Sequence, residues 1–292
     1  IKTDGTGRIQ LTQGKESQVE PAFIDEGERI AYLQGGNLWT MKCDGTDKKQ
    51  LSQGEDIEGY KFSPDGKQIV VIRQAASTTS IMPKEKDLPL ATGLVINDMN
   101  YRHWDQYVQT IPHIFLASVE KDGLGEMKDL LEGEPYECPV LPFGGSEQFC
   151  WSPDGKQIAY TSRKKTGVDY ATSTDTDIYI YNVETGQTTN VCKPEGYVEP
   201  KADALKSLEK QAKNQQSEDI NAGYDQDPQF SPDGTMLAWK SMERDGYESD
   251  RLRLCILNLK TGTKSYVTEQ FESGVDAFSW AEDNKTLYFA GV

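Results

Sequence analysis

The sequence is poor in the residues that do chemistry. Its 292 residues hold two histidines, His103 and His113, and five cysteines. It contains no H-E-x-x-H, no Gly-rich phosphate loop and no acidic loop of the EF-hand type, which removes the common metal and nucleotide motifs. It also lacks G-x-S-x-G, the strand-to-helix elbow that exposes a nucleophilic serine. No run approaches the roughly 18 consecutive apolar residues a membrane-spanning helix needs. Positive charge is scarce too. Thirty-one basic residues stand against 47 acidic ones, a net charge of −16, so a nucleic acid or an anionic membrane surface is excluded as a partner on electrostatic grounds.

Cys43, Cys138, Cys150, Cys192 and Cys255 form no C-x-x-C pair, and an odd number cannot all pair internally. Three of them end or occupy apolar strand patterns, so free structural thiols are expected, with one disulfide left open. The chain starts at Ile1 and shows no leader pattern, which reads as a segment of something longer. A hydrophobic content of 36% suits strands that bury one face, or a fold with large polar loops.

What is present is a repeat. Trp151-Ser152-Pro153-Asp154-Gly155-Lys156-Gln157-Ile158 is matched nearly letter for letter by Phe62-Ser63-Pro64-Asp65-Gly66-Lys67-Gln68-Ile69. Phe230-Ser231-Pro232-Asp233-Gly234 is a third copy, Phe278-Ser279-Trp280 leading to Asp283-Asn284 a fourth, and Phe23-Ile24-Asp25-Glu26-Gly27 a degenerate fifth. The turn residues fall at 27, 66, 155, 234 and 284. Units of roughly 40 to 50 residues with four short strands are the signature of propeller blades. The expected fold is therefore all-β: a β-propeller of four-stranded blades, a partial ring of about five, with one short helix in an insertion.

Read in order, the chain is a single domain with blades at roughly 1–14 (strand D only, Arg8 to Thr12), 20–53, 58–132, 148–193, 227–269 and 275–292 (strands A and B only). Two blades carry insertions, from about Ala75 to Pro112 and from about Pro194 to Asp227. In the second, Ala202, Leu205, Leu208 and Ala212 recur at helical spacing after Pro200. An open ring leaves blade faces exposed and invites dimerisation or end-to-end contact. Closure of residues Arg8 to Thr12 onto the last two strands is the alternative.

Adjacent strands of a blade are antiparallel, so connections alternate between two faces. The A–B and C–D turns are short and share one face; the B–C and D–A connections, including both insertions, share the other. The elaborated face is where function is expected. Two stretches there are dense in functional side chains: Tyr101-Arg102-His103-Trp104-Asp105, and Met242-Glu243-Arg244-Asp245-Gly246-Tyr247-Glu248-Ser249-Asp250. The second reads equally as a solvated loop or as a site for an ammonium group or a basic surface. His113 begins an apparent strand and reads as structural.

The Ser-Pro-Asp-Gly anchors resemble those of TolB-like and prolyl-oligopeptidase-family propellers, and no Trp-Asp dipeptide of the WD-repeat kind closes a strand C. Four stretches together are similar to the acylaminoacyl-peptidase, dipeptidyl peptidase V-like branch of the prolyl oligopeptidase family. They are residues Tyr101 to Asp105, Ser173-Thr174-Asp175-Thr176-Asp177-Ile178-Tyr179, Gly223-Tyr224-Asp225, and Ser241 to Asp250. This resemblance spans nearly the whole chain. It implies a propeller that gates access to an α/β-hydrolase domain and helps hold the N-terminal end of a peptide substrate. The chain lacks that domain and its Ser-Asp-His triad, so no catalytic residue, metal or cofactor is expected in it. On this reading Arg102, Asp105, Glu243, Arg244 and Glu248 are the candidate substrate-binding residues. Peptide is the expected partner and export to a periplasm or the medium the expected location, with a cytoplasmic one as the alternative. A TolB-like periplasmic scaffold that binds another protein is the competing function. A propeller lyase acting on acidic sugars needs more histidines than the two present.

Overall fold

A computed structural model of the protein describes residues 5–76, 90, 110–194, 196–197 and 220–291. Its elements are almost entirely antiparallel strands. They fall into two compact units: residues Ile1–Gln74 with Ile114–Leu130, and Ala75–His113 with Leu131–Val292.

The first unit opens with a four-stranded sheet of β1 (Gln18–Ile24), β2 (Arg29–Gln34), β3 (Asn37–Lys42) and β4 (Lys49–Gln50), paired in sequence order. The next sheet is built from β5 (Gly59–Phe62), β6 (Gln68–Ala76), β7 (Thr110–Glu120) and β8 (Gly123–Leu124), with β9 (Lys128–Asp129) also paired to β7. Alternation along the strands sends Ala31, Leu33, Leu38, Ile69, Val71 and Ala117 into one buried cluster, as a period of two requires.

The second unit holds β10 (Phe149–Trp151), β11 (Gln157–Ser162), β12 (Asp177–Asn182) and β13 (Thr188–Asn190), again in sequence order. A further four-stranded sheet follows: β14 (Asp225–Phe230), β15 (Met236–Ser241), β16 (Arg253–Asn258) and β17 (Lys264–Tyr266). β18 (Val275–Trp280) and β19 (Leu287–Gly291) form a two-stranded sheet. Ala159, Ile178, Ile180, Leu237, Trp239 and Cys255 form the buried contact between the two larger sheets of this unit.

The repeated anchor is a hairpin with its own hydrogen bonds. In the copy at 152, the Ser152 hydroxyl donates to Asp154 Oδ1 (2.6 Å) and accepts from the Gln157 N–H (2.9 Å), while the Lys156 N–H reaches Asp154 Oδ1 (3.0 Å). The same three bonds recur around Ser63 with Asp65 and around Ser231 with Asp233. Gly66, Gly155 and Gly234 all sit at φ of +70°, a conformation that strains any residue with a Cβ. These donors hold the Asp154 carboxyl below the usual range, the Ser152 hydroxyl most of all.

Several expectations change. Residues 8–12 form no strand, and Ile9 is 73% exposed; the pentapeptide has no paired partner among the described residues, so its alternation has nothing to hold it. β1 starts at Gln18, two residues before the expected start of its blade at residue 20, and most of it is exposed. The helix expected after Pro200 lies outside the described residues. A short helix that periodicity did not reveal, α1 (Gly167–Thr172), sits in the connection between β11 and β12. None of the five cysteines is in a disulfide, and Cys138, Cys192 and Cys255 are buried.

Candidate functional site

Each of the two four-stranded sheets of the second unit has its Ser-Pro-Asp-Gly turn at one end. The connection 163–176, between β11 and β12, and the connection 242–252, between β15 and β16, leave from the opposite end. Glu243, Arg244 and Glu248 therefore lie at the end away from the turns. Arg102 and Asp105 lie outside the described residues.

The loop 242–252 is shaped by one carboxylate. Asp250 accepts from the backbone N–H groups of Glu243 (3.2 Å) and Arg244 (3.0 Å), and from Arg244 Nε (3.3 Å) and Nη2 (3.1 Å). Against its burial, this pairing with Arg244 holds the Asp250 carboxyl low. The Arg244 guanidinium lies 4.3 Å from the Tyr247 ring centre, and both side chains are exposed. Glu243 is exposed, with Oε2 3.7 Å from Arg253 Nη1; the same Nη1 lies 3.2 Å from Glu269 Oε2. Glu248 is exposed, and its charge adds to burial in raising the Tyr224 phenol. Nearby, a recess of about 460 Å³ is walled by Asp250, Arg251, Leu252, Glu272, Val275 and Asp276.

The loop 163–176 rests on a buried cation. Arg163 donates from Nη1 to the Ser173 carbonyl (3.2 Å) and from Nη2 to the Tyr170 hydroxyl (3.2 Å). Its guanidinium lies 4.4 Å from the Tyr170 ring and 3.8 Å from Glu137 Oε1, which also accepts from the Tyr170 hydroxyl. Arg163, Tyr170 and Glu137 are all buried, so α1 is pinned by a paired charge in a dry setting where an unpaired one is costly.

Three of the four stretches that carried the resemblance meet here. Ser173 Oγ and the Thr174 N–H both donate to Asp245 Oδ1, at 2.7 and 2.8 Å, and the Gly246 N–H donates to Thr174 Oγ1 at 2.9 Å. The Thr176 hydroxyl donates to the Asp225 carbonyl and accepts from the Asp225 N–H, both at 2.8 Å. Asn221 Nδ2 donates to Asp225 Oδ1 (3.0 Å) and to Ser241 Oγ (3.3 Å). The fourth stretch, residues 101–105, is outside the described residues.

Beneath them is a compensated charge network. Lys193 Nζ lies 2.8 Å from Asp175 Oδ1 and 2.9 Å from Asp177 Oδ1, and donates to the carbonyls of Ile220 and Asn221. Lys165 Nζ meets Asp175 Oδ2 at 2.7 Å. Burial pushes the Asp175 carboxyl up to about 7 even beside two ammonium groups. Burial also raises the Asp225 carboxyl well above the ordinary range, although Ser241 and Trp239 hydrogen-bond to it, Trp239 Nε1 donating to Oδ1 at 2.5 Å. Asp177, Cys192 and Asp225 bring ligand atoms within 4.8 Å of one another. The Lys193 ammonium already occupies the Asp177 oxygen, and burial keeps the Cys192 thiol protonated, so this cluster suits a lysine better than a metal ion.

Sequence reasoning found the loop 242–252 but missed Glu137, Arg163, Lys193 and Arg253. Burying an arginine or lysine requires a partner, and the partners Glu137, Asp175 and Glu269 come from other strands and connections. Asp245 was within a flagged stretch, but its role needs Ser173 and Thr174 from a different sheet.

Fold and site together define a β-propeller chain whose second unit carries an elaborated, charged set of loops. Its relatives give that class a family setting. Dipeptidyl-peptidase 5 of Porphyromonas gingivalis is 44% identical over 297 residues, covering 99% of this chain and 39% of that protein. An acylaminoacyl peptidase of Pyrococcus horikoshii has the same fold with a TM-score of 0.56 at 12% identity, over 94% of this chain and 35% of that one. A TolB of Agrobacterium tumefaciens matches with a TM-score of 0.52 at 14% identity, over 97% of this chain and 72% of that one. No family model matches the chain. The expected resemblance holds: dipeptidyl-peptidase 5 sequences cover this chain, and its fold is that of peptidase and TolB propellers. The chain spans 39% of the length of the Porphyromonas gingivalis relative and 34% of that of a second dipeptidyl-peptidase 5, from Porphyromonas endodontalis.

Proposed function

We propose that this chain is the non-catalytic propeller of an exopeptidase-type serine peptidase, gating and helping to bind peptide for an α/β-hydrolase domain that it does not include. The observation that carries the reading is the 44% identity to a dipeptidyl-peptidase 5 over 99% of the chain. The site chemistry supports it. Glu243, Glu248, Glu272 and Asp276 have exposed carboxylates at the loop-bearing end, which suits the ammonium at the start of a peptide, and Arg244, paired with Asp250 yet still exposed, suits a carbonyl or carboxylate. The nearby Arg251 guanidinium is committed to the carbonyls of Glu269 and Phe271. Arg102 and Asp105 complete the proposed substrate-binding set.

The reading includes an exported location, periplasmic or secreted, and contact with a second copy through the β18–β19 sheet, where Tyr288 and Phe289 are exposed. The competing scaffold function draws on the TolB likeness, which at 14% identity speaks for the fold alone. The test is to express the complete gene product and assay dipeptide release from short peptides with small or hydrophobic residues, beside the same peptides N-acetylated. Release from free peptides, with this chain alone inactive, is the expected result. A complete product that cleaves neither series overturns the proposal.

A further inference from the structure

We infer that Asp245 is a positioning residue: its carboxylate latches the loop 242–252 of one sheet onto the loop 163–176 of the neighbouring sheet, and the latch sets the affinity for peptide. The second half of this inference rests on the peptide-binding reading above. Two acids divide the work on the loop. Asp250 folds the loop on itself, through two backbone N–H groups and the Arg244 guanidinium. Asp245 contributes to placing it, because Ser173 Oγ and the Thr174 N–H, 2.7 and 2.8 Å away, belong to the other loop.

The join is reciprocal. Thr174 donates its N–H to Asp245 and accepts the Gly246 N–H at its own hydroxyl, which also approaches the Arg244 carbonyl at 3.4 Å. So the backbone on either side of Asp245 is held by the residue that Asp245 holds. The far side of the latch is firm. The Ser173 carbonyl is bound by the buried Arg163, and Ser173 and Thr174 are themselves buried. Arg244 and Glu248 flank Asp245 on an otherwise exposed loop, so their placement relative to α1 follows from this contact. Hydrogen bonds to a charged acceptor are the stronger kind, which fits a fastening between two surface loops.

The test uses the complete gene product with Asp245→Ala, Asp245→Asn and Ser173→Ala, read by amide hydrogen exchange and by peptidase kinetics. Asparagine keeps an oxygen at Oδ1, so it should retain much of the latch; alanine removes it. Asp245→Ala should speed exchange about tenfold at residues 173–176 and 244–247 while the strands β11 and β15 keep their protection. It should raise KM about three- to tenfold with kcat within about twofold, with Asp245→Asn between it and the parent. Adding Ser173→Ala to Asp245→Ala should add little, because both remove one contact. Unchanged exchange at 173–176 in Asp245→Ala overturns the latch. Faster exchange with an unchanged KM overturns its role in affinity. If the unsubstituted protein cleaves no peptide, the peptidase reading fails, and exchange alone decides the latch.

Discussion

At the scale of single residues, the buried carboxyls of the second unit carry a signature that pH should expose. Asp225 is fully buried, and Asp175 is raised to about 7, in both cases first by burial. An aspartate in the unfolded chain loses its proton near about 3.9. The folded chain therefore holds protons that the unfolded chain has lost, and stability is lost as pH rises from that value through the folded pKa. The carboxyls of Asp65, Asp154, Asp233 and Asp283 are shifted the other way by their turn hydrogen bonds. Their contribution is complete above about 4 and does not change near neutrality. The unfolding free energy, and with it the thermal midpoint, should accordingly rise as pH is lowered from about 7.5 to 5.5, and Asp225→Asn should reduce the free-energy slope by up to about 1.4 kcal/mol per pH unit. Parallel profiles for the two proteins would show that Asp225 does not titrate in this window.

At the scale of elements, the close approach at Gly223 ties the connection before β14 to the end of β15. A Cβ built on Gly223 would lie 2.7 Å from the Met242 carbonyl oxygen and 2.8 Å from its carbon, and backbone cannot swing aside as a side chain does. Gly223→Ala should destabilise the protein by about 1–3 kcal/mol, the usual cost of forcing atoms into filled space. Denaturant midpoints at an unchanged m-value would measure it; a midpoint within error of the parent would mean the segment yields.

The strands themselves were largely legible, because short apolar runs beside Pro-Asp-Gly turns leave little choice of register. That pattern places Ile158, Tyr160, Leu237 and Trp239, all of them buried. What escaped the sequence was structure made by meetings. α1 spans six residues, too few to show a helical period, and is held by Arg163 at the start of its own connection and by Glu137 from before β10. Residues 8–12 show the opposite error, a good alternation without a partner strand. At the site, the density of charge in 242–250 was visible. That Asp250 shapes this loop while Asp245 fastens it depends on distances across two sheets.

At the scale of the whole molecule, charge is the dominant property. With 47 acidic and 31 basic side chains, the chain should repel polyanions whatever its blades bind. It should pass unretained through heparin or immobilised DNA at low salt, where any electrostatic attraction would be strongest. Retention there, released by raising the salt, would reveal a basic surface that the net charge conceals.

The Thr176 hydroxyl has a mechanical consequence. It answers both the N–H and the carbonyl of Asp225, so a single side chain closes the main-chain ledger between the sheet of β10–β13 and that of β14–β17. Thr176 is 1% exposed, and beside it lies the equally dry Lys193 network. Prising these two sheets apart would strand two peptide groups and several charges at once, before water could reach them. These two sheets are therefore costly to separate at this seam.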